Sequence, residues 1–224
     1  MNDFTQFNFS PQLKKPTPKE EFFNHLAVIL LVLFLLWSIK IGEIFFGRSL
    51  SHWGLWPRTA EGLVGILTMP LLHGDFDHLV SNSVGLFFLG LALLHFYPKV
   101  AAKVVLLTIL WGGLLVWLMA RPAYHIGASG LIYGLSSFLF FSGLLRRDRR
   151  SVGAALIVAF LYGSAVWGVL PYKVGISWEG HLFGAIAGTL LALRYKNIDP
   201  PPKPQWEGEE PEDRDPYAWT NAED

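Results

Sequence analysis

The segment HIGASGLIYG, residues 125–134, indicates the architecture of the protein together with the segment GHLFGAIAG, residues 180–188. Each places one reactive polar residue, Ser129 or His181, at the start of an apolar run. Polar and ionisable groups inside membrane helices are costly and usually functional. A serine whose proton can pass to a histidine is the minimal nucleophile and base pair for acyl transfer. The two segments therefore indicate a serine hydrolase built within a bilayer.

The composition of the 224-residue chain independently favours a membrane protein. Hydrophobic residues make up 52% of the chain and charged residues only 16%, against about 25% charged residues in an average soluble domain. The chain has no cysteine, which excludes disulfides, thiolate nucleophiles and cysteine-based metal sites. The 18 basic and 18 acidic residues cancel in number, but acidic residues crowd the C-terminal tail.

Six apolar runs approach the length of about 20 residues that a membrane-spanning helix needs. They are residues 26–46, 78–97, 104–120, 129–145, 152–170 and 180–195. The connection 47–77 is too long for a plain loop, and its apolar part, 62–72, predicts a short interfacial element. We therefore expect an all-α, polytopic domain of six transmembrane helices over 26–195, between flexible cytoplasmic tails at 1–25 and 196–224.

The positive-inside rule orients these helices. With the N-terminus inside, the inner segments hold most of the Lys and Arg residues, including the cluster at 146–150. Both termini are therefore expected in the cytoplasm. Helices two, four and six then run from outside to inside, and His78, Ser129 and His181 lie at their starts. We expect these three side chains at a similar depth, in a site that opens outward.

The surroundings of Ser129 suit acyl transfer. Gly127 and Gly130 let other backbone come close, and the first N–H groups of a helix are free to bind an anion. An oxyanion formed at Ser129 would meet the backbone N–H of the same residue. The alternative interpretation is that these small residues serve helix packing alone.

Helical spacing puts small residues on the faces that carry Ser129 and His181. These are Gly130 and Gly134 on one helix, and Gly184 and Gly188 on the other. Packing of the two faces would bring the serine and histidine within reach of each other. Tyr133 lies one turn from Ser129, where it can orient the imidazole or serve as an ordinary membrane aromatic.

The segment HGDFDHLVSN, residues 73–82, supplies a third polar group. His78 and Asn82 are four residues apart and share a helix face. Both can donate hydrogen bonds to a developing negative charge, and such donors contribute about 3–4 kcal/mol each in soluble hydrolases. His73 falls before the helix, where a hydrogen bond from it would brace the loop. His125 either lines the site or has a plain loop role.

A metal site is the competing interpretation of this segment, because His73, Asp75, Asp77 and His78 are all possible ligands. The sequence lacks the His-Glu-x-x-His pattern, and the residue four positions after His78 is an asparagine, a poor ligand for transition metals. We therefore expect no metal. Asp75 or Asp77 is instead expected to cap the helix that follows.

This combination of motifs resembles the rhomboid family of intramembrane serine proteases over residues 26–195. The resemblance implies a catalytic dyad with Ser129 as nucleophile and His181 as general base. It also implies an oxyanion hole formed by His78, Asn82 and the Ser129 N–H, with Tyr133 packed on His181. Supporting roles would fall to His73, Gly127, Gly130, Gly184 and Gly188.

The expected function is that of a serine endopeptidase cutting transmembrane segments of other proteins near their outer ends. The expected partners are those substrates and the lipid bilayer, and the expected location is the inner membrane of a bacterium. No cofactor or nucleic acid is expected, and the sequence leaves the oligomeric state open. Two alternatives remain: a catalytically silent rhomboid-like binder, and a small transporter or channel. Presence of both Ser129 and His181 disfavours the first, and the absence of repeated halves disfavours the second.

Overall fold

The computed structural model of the protein describes residues 16–146, 149–171 and 175–198. Its α-helices are α1 (Pro18–Phe45), α2 (Gly65–Thr68), α3 (Phe76–Phe96), α4 (Ala101–Met119), α5 (Ser129–Arg146), α6 (Arg149–Tyr162) and α7 (Trp178–Tyr195). Short 3-10 segments cover Ser51–Trp53, Glu61–Leu63, Met69–Leu71 and Gly163–Val169. Within the described ranges, the extended structure is one isolated antiparallel bridge between Leu55 and His125. The all-α prediction is confirmed. Most of both predicted tails lies outside the described residues.

Helix α1 begins at Pro18, eight residues before the predicted start of the first span. The reason is a capping box, in which the Thr17 hydroxyl accepts from the N–H of Glu20 and the Glu20 carboxylate accepts from the N–H of Thr17. Pro18 then occupies the first helical position, where its fixed φ suits a helix and no N–H is needed. Polar turns therefore extend the apolar helix toward the N-terminus.

Among the described residues, four helices, α1, α3, α4 and α5, are long and apolar enough to cross a membrane. Large apolar side chains on them are exposed, such as Phe34 at 70% and Leu31 at 67%, as expected for a surface in contact with lipid. Helix α6 has 14 residues, and the 18 residues of α7 include buried polar groups. The predicted number of six spanning helices therefore stays a prediction.

Helix α5 lies at the centre of the bundle and packs against α3, α4, α6 and α7. Its face against α7 is built from glycine. A Cβ atom on Gly184 would clash with the carbonyl of Gly130, and one on Gly188 would clash with the carbonyl of Gly134. Small residues at such positions let two helices approach backbone to backbone. The two helices that begin near Ser129 and His181 are thereby held in close contact.

The sequence predicts a single apolar helix over residues 152–170, but the structure does not remain α-helical to residue 170. Helix α6 ends at Tyr162, and Gly163–Val169 continues as 3-10 turns. Gly163 and Gly168 lie in this segment, and glycine is a poor α-helix former. Because 3-10 geometry leaves backbone groups in different directions from an α-helix, the segment turns the carbonyl of Gly168 toward α7.

Candidate active site

Ser129 and His181 meet where α5 and α7 begin. The Ser129 Oγ lies 2.9 Å from the Nε2 atom of His181. Ser129 is the first residue of α5, and His181 lies in the first turn of α7 after its N-cap Ser177, whose hydroxyl accepts from the N–H of Gly180. The structure thus brings the serine and histidine into direct hydrogen-bond contact.

The second nitrogen of His181 determines the tautomer of the ring. Nδ1 lies 2.9 Å from the carbonyl oxygen of Gly168. A carbonyl oxygen only accepts, so Nδ1 carries the proton and Nε2 presents a lone pair to the Ser129 hydroxyl. This is the protonation pattern that a general base needs.

Tyr133 fixes the plane of the same imidazole. Its ring lies parallel to that of His181, with 4.2 Å between centroids and an interplanar angle of 5°. A Cβ atom on Gly168 would clash with the Tyr133 hydroxyl and lie 3.2 Å from His181 Nδ1. Gly168 therefore leaves the space that the stacked pair occupies. The sequence does not point to Gly168, because no local pattern marks a glycine carbonyl as the partner of a histidine.

Donor side chains surround the turn before Ser129. Gly127 has a φ of +107°, which favours glycine. A Cβ atom built on it would lie 2.5 Å from Nε2 of His78 and 3.4 Å from Nδ2 of Asn82. Asn82 is 4% exposed, and its Nδ2 has no hydrogen-bond acceptor among the described residues. A buried amide donor without a partner is costly and is available to an oxygen atom entering the site.

His73 packs against His78, one of the side chains of the site. Its ring meets that of His78 edge to face, with 5.1 Å between centroids. The residue is 2% exposed. Burial, followed by repulsion from His78, lowers the pKa of His73 to about 4. The ring is therefore neutral at pH 7 and contributes packing.

The loop that contains His73 is tied to α1 through its backbone. The Nζ atom of Lys40 donates to the carbonyls of His73 and Gly74, both at 2.9 Å, and to Oε2 of Glu43 at 3.0 Å. Oε1 of Glu43 accepts from the N–H of Leu50 at 2.6 Å. The two charges that interrupt the first apolar run thus anchor the segment leading into α3. The sequence shows the charges but not their partners.

The N-cap of α3 is Asp75, whose carboxylate accepts from the N–H of His78 at 2.7 Å. Of the two aspartates expected to cap, this is the one that does so. In the described ranges, no three His, Cys, Asp or Glu side chains lie close enough together to hold a metal ion.

A cavity of about 1160 Å³ opens beside the serine and histidine. Its lining includes His78, Asn82, Arg121, His125, Ser129, Tyr133, Ser177 and His181. The volume exceeds the roughly 300–1,000 Å³ of most small-molecule pockets. The cavity therefore has room for a stretch of polypeptide and for water.

Comparison with known proteins identifies the family. The Rhomboid domain family matches residues 60–197, more than half of the chain. The chain belongs to the rhomboid family. This confirms the family expected from the sequence motifs. The match includes every one of the expected site residues, from the His73 segment to Gly188.

The curated relatives of this chain include two that are named as putative rhomboids. Uncharacterized protein Rv1337 of Mycobacterium tuberculosis is 36% identical over 177 residues, which cover 74% of this chain and 73% of the relative. Putative rhomboid protease YdcA of Bacillus subtilis is 27% identical over 186 residues, covering 78% of this chain and 92% of the relative. Putative rhomboid protein L523 of Acanthamoeba polyphaga mimivirus is 28% identical over 144 residues, covering 61% and 78%.

Membership in the rhomboid family, together with the apolar helices, makes this chain an integral membrane protein. The bacterial relatives support a bacterial membrane. At the level of the family, membership supports an intramembrane protease that acts on membrane proteins within the bilayer.

Proposed function

We propose that this rhomboid is a serine endopeptidase that cuts transmembrane segments of other membrane proteins, with Ser129 as nucleophile and His181 as general base. The observation that carries the proposal is the 2.9 Å contact between Ser129 Oγ and the unprotonated Nε2 of His181. A hydroxyl is a weak nucleophile until an adjacent base can take its proton. Here the base is held in the right tautomer before substrate arrives.

Acylation follows from this geometry. As Ser129 Oγ bonds to the scissile carbonyl carbon, its proton passes to Nε2 of His181, and the carbonyl oxygen becomes an oxyanion. When the C–N bond breaks, His181 returns that proton to the leaving amine. A water molecule then attacks the acyl-serine, again giving its proton to His181, and Ser129 regains a proton as the new carboxyl end departs.

The imidazolium that forms in each step carries the transferred proton on Nε2 and keeps its original proton on Nδ1. That proton stays with the carbonyl of Gly168 at 2.9 Å, so a backbone dipole takes the place that a carboxylate occupies in a triad. Tyr133 holds the ring plane by stacking. Both contacts exist before the reaction, so little reorganisation is needed when charge develops.

The oxyanion is proposed to bind three donors: the N–H of Ser129, Nε2–H of His78 and Nδ2–H of Asn82. The approach of both side chains to Gly127 supports this assignment. The unpartnered Asn82 amide supports it further. Donors arranged in this way contribute about 3–4 kcal/mol each to transition-state stabilisation in other hydrolases.

The proposed topology places both termini in the cytoplasm and the cavity at the outer side of the membrane. Its basis is the excess of Lys and Arg in the segments that would then lie inside. A substrate segment would be cut near its outer end, where water reaches Ser129 through the cavity.

The test uses purified full-length protein in detergent micelles with a single-span reporter protein. Wild-type protein is expected to cut the reporter, and mass spectrometry maps the bond. S129A and H181A are each expected to lose cleavage while keeping the unfolding temperature of wild type, and the double variant is expected to be no worse than either. A serine-directed fluorophosphonate should label Ser129 in wild type and not in H181A.

Two results would contradict the proposal. Near wild-type cleavage by S129A would exclude Ser129 as the nucleophile. Reporter binding without cleavage or labelling by wild-type protein, under conditions where a known rhomboid cuts the same reporter, would support a silent binder. Chelators are expected to have no effect.

A further inference from the structure

A second hydrogen-bonded pair accompanies Ser129 and His181. Nδ1 of His125 lies 2.6 Å from Oγ of Ser177. His125 stands four residues before Ser129, and Ser177 stands four residues before His181, so both pairs are separated by 52 residues in the chain. The two pairs therefore connect the same two segments of the protein: the loop that leads into α5 and the start of α7.

The directions of these hydrogen bonds follow from their partners. Nε2 of His125 lies 3.1 Å from the carbonyl of Arg121, which only accepts, so Nε2 carries the proton. Nδ1 then accepts from the Ser177 hydroxyl, and the Ser177 oxygen accepts from the N–H of Gly180 at 3.3 Å. When the imidazole of His125 is neutral, both of its nitrogens and the Ser177 hydroxyl take part in hydrogen bonds.

His125 is also held by its backbone. Its N–H donates to the carbonyl of Leu55 at 2.9 Å, and its carbonyl accepts from the N–H of Leu55 at 3.0 Å. The residue is 1% exposed. Burial lowers its pKa, which agrees with the neutral form. His125 thus joins the connection 47–77 through its backbone and the N-cap of α7 through its side chain.

Charged groups bridge the same two segments. Nε of Arg121 lies 3.5 Å from Oε1 of Glu179, which is 3% exposed, and Nη2 of Arg121 donates to the carbonyl of Ile176 at 2.5 Å. Arg121 and Glu179 are the charged groups that act on His125. The bonds of Arg121 leave from a long side chain that is 42% exposed, whereas the bond between the short side chains of His125 and Ser177 fixes the register of the two segments more closely.

We propose that His125 and Ser177 are positioning residues, which set the distance and angle between Ser129 and His181 by locking the loop before α5 to the N-cap of α7. This inference rests on the proposed function of the dyad. Helix α5 and helix α7 already touch through glycines, but glycine contacts carry no directional bond. Loss of the His125–Ser177 bond frees the two ends to shift, and a displacement of about 1 Å in a reacting group can cost about 100-fold in rate.

The experiment compares variants for reporter cleavage, fluorophosphonate labelling rate and unfolding temperature. S177G removes the hydroxyl but suits an N-cap almost as well as serine, and H125L removes both ring nitrogens. Each is expected to lower kcat and the labelling rate of Ser129 about 10- to 100-fold, with KM changed less than about 3-fold. S177T keeps a hydroxyl at this position and should therefore keep most of the wild-type kcat. The double variant should be no worse than the worse single variant.

T17A is the matched control, because Thr17 is the N-cap of α1 and lies outside the proposed site. It is expected to keep wild-type kcat. Should H125L fail to fold, S177G with its rescue by S177T decides the matter. If the wild-type protein is labelled and S177G has the same kcat and labelling rate as wild type, the positioning role is overturned and the dyad stands. A fall in unfolding temperature without a fall in the labelling rate of folded protein would also overturn it. Absence of cleavage and labelling in wild type would instead overturn the proposed function itself.

Discussion

The imidazole of His181 is bound at Nδ1 by the backbone carbonyl of Gly168, 2.9 Å away. The partner of the proposed base is therefore a peptide group in a 3-10 segment and not a carboxylate. Because the same glycine leaves room for Tyr133 to stack on the imidazole, one residue orients both the plane and the tautomer of the ring.

Replacement of Gly168 by alanine should impair the base. The added Cβ would meet the Tyr133 hydroxyl and His181 Nδ1, so the stacked pair must shift. We expect kcat for reporter cleavage to fall about 10- to 100-fold. G163A, in the same 3-10 segment, adds a Cβ with no atom within 4 Å in the described structure and should keep wild-type kcat. Equal activities of G168A and G163A would show that the stacking does not matter.

Removal of either proposed oxyanion donor should slow turnover without abolishing it. N82A and H78A are each expected to lower kcat about 100- to 1,000-fold. Binding of an uncleaved reporter should change far less, because these donors act on charge that appears in the transition state. S81A is the control, since Ser81 lines the same cavity but donates to the carbonyl of His78 within α3. Parallel losses of binding and rate would assign structural roles to both residues.

The Lys40 anchor should matter for stability. K40M leaves the carboxylate of Glu43, which is 4% exposed in its side chain, without its cation. Breaking a buried pair from one side costs about 3–5 kcal/mol, so the unfolding temperature in detergent should fall clearly. In K40M/E43Q no buried charge is left alone, and the glutamine oxygen can still accept from Leu50 N–H. The double variant should recover part of the loss; a double variant less stable than K40M would contradict this account.

The glycine contact between α5 and α7 should be intolerant of side chains. A Cβ on Gly184 would overlap the carbonyl of Gly130, which is backbone and cannot turn away. G184A should lower stability by about 1–3 kcal/mol through overpacking and reduce kcat by separating the helices. G42A on α1, where no atom lies within 4 Å of the added Cβ in the described residues, should be neutral in both measurements.

Acid should destabilise the fold through His73. Its pKa is about 4 in the folded protein, against an ordinary value of 6.5. The unfolded chain therefore binds more protons between these values, so stability falls as the pH is lowered from 6.5 toward 4. H73N lacks this titration, and its unfolding temperature should depend less on pH over that window. An identical pH dependence in wild type and H73N would assign the acid sensitivity to other groups.

Much of the architecture is readable from local pattern. Helices α3, α4 and α5 begin and end within a few residues of the predicted runs, because apolar length and glycine placement are properties of neighbouring residues. The motifs around His78 and Asn82, around Ser129 and around His181 together predict the family, which the family match confirms. Their small-residue spacing also led to the expectation that the two side chains meet, since helical periodicity puts residues four apart on one face.

The contacts between segments far apart in the chain depend on the tertiary structure. The carbonyl of Gly168 reaches His181 because α6 gives way to 3-10 turns, and Lys40 reaches the His73 loop across 33 residues. His125 finds Ser177 because α5 and α7 pack backbone to backbone. Each bond depends on a backbone direction or a helix register that no local pattern encodes. The sequence therefore identifies the residues that could carry the chemistry, whereas the packing of the helices sets the orientation of their side chains.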